Sequence, residues 1–314
     1  MTPAQPTPPA PPQDAATWPA DAPSPAGPTP VTPNVAAAVP VAVVDHLRRV
    51  PERPLWIAAG LALLALGAGG TGVATWVNVT RHSVAQTSTY AADVVDLRSL
   101  GSQDVTVIGS DRTDIIVTVQ VTWSGSPDSP PVSAGQVTGG ILSLDNPCLG
   151  TRWPCWADYR VEAPRATAVR WTAGSGDLSV TSVASLVGQG GSSDVTVRDV
   201  PKVEVTTSSG DVDVCRVSTS LSIRTSSGDV DACEVRTEAA TVQTSSGDVR
   251  VDGAPARLTV DTTSGDVVLT LGADQRYDVR TSTATGDVSV KATTDRSSSR
   301  VVQVTTKTGD ITVR

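Results

Sequence analysis

The feature that most constrains this sequence is an internal repeat in its second half. The unit T-x-S-G-D-V-x-V is clearest at Thr206–Val214, Arg224–Ala232 and Gln243–Val251. Ser193-Asp194 is a degenerate copy, and Gly101–Val107 is an earlier, worn copy. Successive units are 17 to 23 residues apart, which predicts a solenoid whose units each contact their neighbours. The Gly-Asp pairs of the unit are Gly176, Asp177, Gly210, Asp211, Gly228, Asp229, Gly247, Asp248, Gly265, Asp266, Gly286, Asp287, Gly309 and Asp310.

Apolar residues alternate on both sides of each Gly-Asp pair. Around Gly210, Val203 and Val205 precede the pair, and Val212 and Val214 follow it. Period-two alternation indicates half-buried strands, so each unit predicts two strands joined by a tight bend. The near identity of successive units favours parallel stacking over the antiparallel hairpins of a β-sandwich. We therefore predict an all-β, parallel β-solenoid with rungs of about 18 residues.

Each position of the bend has an expected role. Gly allows the unusual backbone conformation of a corner, and Asp caps the turn by accepting backbone N–H groups. Stacked carboxylates could instead bind calcium, but one Asp per rung supplies few of the six to eight oxygens that calcium takes. Turn capping is the favoured interpretation, and no metal site or cofactor is predicted. A column of threonines is expected inside the corner: Thr207, Thr225, Thr244, Thr262, Thr283 and Thr306.

The chain contains four cysteines, and all of them lie after residue 147. Cys215 and Cys233 have the same position in consecutive units. Equivalent residues of adjacent parallel strands lie about 4.8 Å apart, so these two are predicted to form a disulfide. Cys148 and Cys155 are predicted to close a separate short loop, and free thiols are the alternative for both pairs. The spacings do not fit a zinc site.

Composition divides the rest of the chain. Residues 1–54 hold 15 of the 23 prolines and are expected to be a disordered Pro/Ala-rich tail. Residues 55–77 lack charge and are long enough for a transmembrane helix. We assign 78–89 to a juxtamembrane stalk and 90–314 to the solenoid, which an insertion at 124–157 interrupts.

The charges that flank the apolar segment indicate its orientation. Cytoplasmic flanks carry more Lys and Arg, and three arginines precede the segment: Arg48, Arg49 and Arg53. The tail is therefore expected in the cytoplasm and the solenoid outside the cell membrane, with one span between them. This topology also agrees with cysteines confined to the compartment where disulfides persist.

Both ends of the predicted solenoid have distinctive features. Trp123, Trp153, Trp156 and Trp171 cluster near its beginning, either as a cap that covers the first rung or as an aromatic platform for a sugar or partner. At the other end, the sequence stops within a repeat. The last unit is therefore expected to expose its strand edge.

Several function classes are disfavoured by residue content. The two histidines are His46 and His82, so residues 83–314 cannot supply a Ser-His-Asp triad or a His-ligated metal site. The net charge is −8 without a basic run, which argues against a nucleic-acid partner. The acidic residues repeat one turn position and form no acid–base pair, so no catalytic residue is predicted and the chain is not expected to be an enzyme.

Serial S-G-D-V-x-V units, preceded by the segment Glu162–Val180, resemble the bacterial "putative adhesin" β-solenoid domain, also described as toastrack-like. The resemblance extends over about residues 90–314. It implies a right-handed solenoid, a membrane-anchored envelope location, and a role in surface interaction or envelope-stress sensing. The two cysteine pairs depart from the family pattern.

Two functions remain open at this point. The first is a non-enzymatic, single-pass bacterial envelope protein whose solenoid is an adhesin-like surface for wall polymer or another protein. The alternative is a transmembrane envelope-stress sensor that signals through a cytoplasmic partner of its Pro-rich tail.

Overall fold

The computed structural model describes residues 81–126 and 130–314. The predicted tail at 1–54 and the predicted span at 55–77 lie outside these residues. The described part of the chain consists of 23 strands and the turns between them. Among these residues, no helix has the length and apolarity needed to cross a membrane.

The strands, numbered in chain order, form two sheets. Twelve form the first sheet, in the spatial order β1 (Arg81–Tyr90), β4 (Ile115–Ser124), β7 (Cys155–Pro164), β3 (Val105–Ser110), β9 (Leu178–Thr181), β11 (Val195–Arg198), β13 (Val212–Cys215), β15 (Val230–Val235), β17 (Val249–Gly253), β19 (Val267–Leu271), β23 (Ile311–Val313) and β21 (Val288–Val290). Eleven form the second, in the order β20 (Asp278–Ser282), β22 (Val301–Thr305), β18 (Arg257–Ser264), β16 (Ala239–Ser246), β14 (Ser220–Ser227), β12 (Lys202–Ser209), β10 (Ser185–Gly190), β8 (Ala168–Ala173), β2 (Val94–Gly101), β6 (Ile141–Leu144) and β5 (Gly135–Thr138).

Each repeat unit forms one rung with a strand in each sheet and the Gly-Asp corner between them. Successive rungs pair in parallel and in register, as Val203 with Leu221 in one sheet and Val212 with Val230 in the other. The predicted parallel β-solenoid is thereby confirmed. The worn copy near residue 101 is also a rung, because β2 and β3 pair in parallel with β8 and β9.

The core lies between the two sheets and consists mainly of the alternating Val, Leu and Ile side chains. Val205, Val214 and Ile223, for example, are almost completely buried. One large side chain fits because its neighbours are small. Trp171 is 2% exposed, and a Cβ on Gly188 or Gly190 of the next rung would lie 3.0 Å from its ring.

The beginning of the solenoid is covered by antiparallel strands. β1 pairs with β4 and β4 with β7, and β7 then joins β3 in parallel. In the other sheet, the β5–β6 hairpin joins β2 through β6. Residues 81–89, assigned to a stalk from the sequence, are therefore a strand of this cap. None of the side chains of β1 is fully buried, so this segment lacks the alternating apolar residues from which the other strands were predicted.

The order of the final rungs differs from their order in the sequence. The last rung in the chain, β22–β23, lies between β18–β19 and β20–β21. The expectation that the last unit would expose its edge is wrong, because β20–β21 is the terminal rung. Side-chain content explains this order. Val304 of β22 points into the core, and its partner at the same position of β20 is Thr281. The more polar rung therefore lies at the end.

Candidate functional site

The Gly-Asp corners, which together are called the first corner, contain a continuous ladder of aspartates. Each carboxylate accepts a hydrogen bond from the backbone N–H of the Asp on the next rung, at 2.8–3.1 Å. The ladder satisfies turn donors and links neighbouring rungs at once. It runs in the spatial order Asp104, Asp177, Asp194, Asp211, Asp229, Asp248, Asp266, Asp310 and Asp287.

The carboxylates accept backbone N–H groups, as expected of turn caps, but each accepts the N–H of the next rung's corner rather than one of its own turn. One oxygen of each carboxylate, up to the final rung, is already bonded to a neighbouring backbone N–H. Within residues 81–126 and 130–314, no group of three or more His, Cys, Asp and Glu side chains is placed to hold a metal ion.

The corner glycines are required by close approach as well as by backbone conformation. A Cβ on Gly228 would lie 2.2 Å from the carbonyl oxygen of Gly210, and one on Gly247 would lie 2.1 Å from that of Gly228. Gly210 and Gly247 also have φ of 155° and 150°, whereas Gly228 has no positive φ. All of these corners thus need glycine because the previous rung leaves no space for a Cβ. The sequence analysis identified only the other reason, the unusual backbone conformation.

The threonine column lies beside the corner, as predicted. Five members are buried, and Thr207 donates to the carbonyl oxygen of Gly191 at 3.3 Å. Thr283, on the terminal rung, is half-buried. The hydroxyls of Thr225 and Thr244 are buried without a hydrogen-bond partner among the described residues, so not every member gains the expected bond.

Both predicted disulfides are confirmed. Cys215 and Cys233 are paired residues of β13 and β15, with Cα atoms 4.5 Å apart. Cys148 and Cys155 close a loop before β7, with Cα atoms 5.4 Å apart. The first disulfide joins two rungs that already pair, and the second fixes a segment outside the rungs.

The second corner is the turn that leads from a strand of the first sheet to the next rung, for example from β11 to β12. It contains a charge ladder that sequence reasoning missed. Asp199, Arg216 and Glu234 are stacked at the same position of three rungs, each with a left-handed φ of 51–60°. The Arg216 guanidinium bonds to Asp199 and lies 4.0 Å from the Glu234 carboxylate. Its hydrogen bonds hold the pKa of Asp199 below the usual range. The signal was a charged residue six positions after Gly210, after Gly228 and after Ser193, which replaces the corner glycine in the degenerate copy.

The second corner also borders an open polar groove of about 640 Å³. Arg236, Glu238, Asp274 and Arg300 line it. Arg300 donates to the carbonyl oxygens of Ala254 and Pro255 and therefore holds the loop together. The mixed charges of this groove define no single ligand class.

The tryptophan cluster is divided by the structure. Trp123 and Trp171 are buried, so they belong to the cap and the core. Trp153 and Trp156, in or next to the disulfide loop, are 62% and 50% exposed, and Leu149 of the same loop is 83% exposed. Trp123 and Trp153 both line a cavity of about 300 Å³. The cap role explains why Trp123 and Trp171 are buried. It does not explain why Trp153 and Trp156 are exposed.

The terminal rung presents the second exposed apolar feature. β20 and β21 each pair on one side only, so their outer edges have no strand partner among the described residues. Val288 and Val290 of β21 are 46% and 40% exposed, whereas their partners Ile311 and Val313 are fully buried. Asp287 lies at the same end, where no further rung supplies an N–H to its carboxylate.

A search of the curated proteins finds no match to this chain. Among solved structures, proteins named "putative adhesin" are similar at low sequence identity. The one from Parabacteroides distasonis is 15% identical, with a TM-score of 0.49, over 74% of this chain and 98% of its own. One from Bacteroides fragilis is 12% identical, with a TM-score of 0.45, over 74% and 97%.

The family comparison is more direct. Residues 160–314 match the family described as Toastrack DUF4097. This segment begins within β7 and includes every rung after the first. The matched region is the one whose aspartate ladder and corner glycines define the rungs. Residues 160–314, with their serial Gly-Asp rungs stacked in parallel, belong to the toastrack DUF4097 family.

Proposed function

We propose that this protein is a non-enzymatic, single-pass bacterial envelope protein whose extracytoplasmic solenoid is an adhesin-like interaction module. The open terminal rung carries the proposal. Between the two partner classes that the sequence leaves open, wall polymer and protein, the rung favours a protein.

An exposed strand edge recognises another polypeptide through backbone hydrogen bonds, with side-chain pockets adding specificity. Among the described residues, no strand pairs with the outer edge of β21, where Val288 and Val290 are exposed. The Asp287 carboxylate stands where each earlier Asp of the ladder accepts a backbone N–H. An extended strand of the partner would therefore continue the ladder as an additional rung.

The arrangement of acidic residues supports a non-enzymatic role. The ladder aspartates share one environment and one hydrogen-bonding role, so none is distinguished as a general acid or base. His82, the one histidine among the described residues, packs against Trp123 with ring centroids 5.6 Å apart. Its position is that of a side chain of the cap.

The proposal is tested by photo-crosslinking in cells that produce the full chain. A photoreactive amino acid at position 288 should crosslink to an envelope protein, and the crosslink should disappear when Val290→Lys blocks the edge. Position 187 is the matched control, because Val187 is 43% exposed on a central rung. Equal crosslinking from 187 and 288, or none from 288, would overturn the strand-edge proposal.

The sensor alternative concerns residues 1–54, which the structure does not describe. Capture by the full chain and by a version without residues 1–54 separates the two functions. A regulator that is recovered only with the full chain would support a sensor. Recovery of the same envelope protein by both would support the interaction module.

A further inference from the structure

We infer that the loop closed by Cys148 and Cys155 rests on the outer surface of the lipid bilayer, with Trp153 and Trp156 at the headgroup level. The inference rests on the single span in the proposed function and adds a second, peripheral contact with the same membrane. It gives the two exposed tryptophans a role that the cap does not.

The first step is where the described chain begins. Arg81 pairs with Ser124, and its guanidinium carbon lies 5.8 Å from the ring centre of Trp156. Gly125, next to Ser124, is the neighbour of Trp153, since a Cβ there would lie 3.5 Å from that ring. The two exposed tryptophans therefore flank the point at which the chain enters the solenoid.

The second step is a limit on distance. The predicted span ends at Val77, four residues before Arg81. Even a fully extended chain covers at most about 3.6 Å per residue, so a span that ends at Val77 would hold Arg81 within roughly 14 Å of the hydrocarbon boundary. The headgroup layer of one leaflet is itself about 5–8 Å thick. The tryptophans beside Arg81 are consequently held within reach of this layer.

The third step is the chemistry of the loop. Tryptophan is enriched at membrane interfaces, because its ring is apolar and its N–H is polar. Leu149 adds an exposed apolar side chain, and Arg152 adds an exposed positive charge that suits lipid phosphates. Residues 146–157 contain no carboxylate, and the exposed Asp145 and Asp158 flank this segment.

The loop is also held in one shape. Its disulfide is supplemented by the Thr151 hydroxyl, which donates to the carbonyl oxygen of Cys148 at 2.9 Å. The side chain of Asn146 donates to the carbonyl oxygen of Leu100 in β2 at 2.9 Å, which fixes the loop to the first rung. A preformed loop loses little conformational entropy when it contacts lipid.

The test uses the full chain in phosphatidylcholine–phosphatidylglycerol vesicles, with and without bromine on the acyl chains. Bromine quenches the fluorescence of tryptophans that contact lipid. Trp18→Phe, Trp56→Phe and Trp76→Phe remove the reporters outside the described residues. Brominated lipid should then quench the emission of Trp153 and Trp156. Adding Trp153→Phe and Trp156→Phe should abolish the quenching, because Trp123 and Trp171 are buried.

A matched control places one tryptophan at the far end of the solenoid. The substitution Val288→Trp is made in the variant without Trp153 and Trp156. At 4.8 Å per rung, position 288 lies about 40 Å from the first rung. Its emission should resist brominated lipid and respond to iodide in the aqueous phase. Equal lipid quenching at 288 and in the loop would overturn the inference, since it would indicate non-specific adsorption.

The remaining outcomes separate the inference from the proposed function. A chain that does not float with the vesicles would overturn both the single span and the loop contact. A chain that floats, but whose loop emission is unchanged by bromine, would overturn the loop contact alone. In that case iodide would show whether water or another molecule covers the tryptophans.

Discussion

Single glycines at the first corner determine how closely the rungs approach. A Cβ added to a corner glycine would lie about 2 Å from the corner carbonyl oxygen of the previous rung. A side chain can therefore be accommodated only if the two rungs separate locally. The aspartate that follows depends on the same approach, since its carboxylate must reach the N–H of the next rung. The Gly-Asp pair is therefore one structural unit.

Replacing Gly228 isolates this steric effect, because its φ is not positive. We expect Gly228→Ala to lower the free energy of unfolding by about 1–3 kcal/mol or more, as overpacking does. Gly174→Ala is the matched control, since its Cβ would meet only the Ser102 hydroxyl at 3.8 Å. Chemical denaturation measures both variants. Similar stabilities for the two would contradict the close-approach explanation.

A buried carboxylate of the first rung predicts a specific pH dependence. Hydrogen bonds from Arg98 hold the pKa of Asp96 below its usual range. A depressed folded-state pKa contributes stability above the unfolded pKa of about 3.9, and this stability is lost as the pH falls through the folded value. Asp96→Asn should therefore destabilise at pH 7 by about 1–2 kcal/mol, with a smaller difference on acidification.

Asp158 serves as the control, because its pKa is shifted in the opposite direction to that of Asp96. Although the residue is exposed, partial desolvation of its carboxyl, together with the charge of Asp104, raises the pKa of that group. The ionised form is disfavoured in the fold, so Asp158→Asn should stabilise slightly at pH 7 and have no effect in acid. Denaturation midpoints from pH 3 to pH 7 follow both variants. A parallel pH profile for the two would show that the assigned pKa shifts are wrong.

At the scale of elements, the final two rungs show that stacking order follows side-chain content. β22 pairs on both sides, with β18 and β20, whereas β20 pairs only with β22. The inner residues of β22 and β23 are fully buried, and those of β20 and β21 are partly exposed. Placing the more apolar rung inside removes more hydrocarbon surface from water.

Hydrogen exchange tests this order directly. Amides of Val302–Val304 should exchange more slowly than those of Val279–Thr281, because edge strands leave half of their N–H groups unpaired. Mass spectrometry of the full chain resolves the two segments. Faster exchange at 302–304 would indicate that the rungs stack in their sequence order instead.

At the scale of the whole molecule, the solenoid is close to one-dimensional, because each rung contacts only the rungs on either side. Stability is then a sum of rung and interface contributions, and the two ends differ from the middle. The cap of β1, β4 and β7 covers one end of the first sheet. The other end has an open rung, which gives the molecule a direction.

The position of a substitution along the stack should therefore determine its effect. Val251→Ala, on a central rung, should cost about 1–3 kcal/mol, because the side chain is 2% exposed. Val290→Ala, the same change on the terminal rung, should cost less than about 0.5–1 kcal/mol. Thermal denaturation compares the two. Equal losses would mean that the terminal rung is covered in solution.

The sequence by itself determined the rung, because its information is local. Alternating Val residues on both sides of Gly-Asp predict two strands and a corner, and equal positions in successive units place Cys215 opposite Cys233. These features need only that neighbouring units stack in register. The corner charges of Asp199, Arg216 and Glu234 were equally readable from their constant offset.

Only the tertiary structure decided features that depend on a choice between similar partners. The order of β20–β21 and β22–β23 is one, because both rungs carry the same local pattern and differ in how much apolar surface each buries. The pairing of the polar strand β1 with β4 is another. The separation of buried Trp171 from exposed Trp153 is the third, since burial depends on the space that Gly188 and Gly190 leave on the next rung.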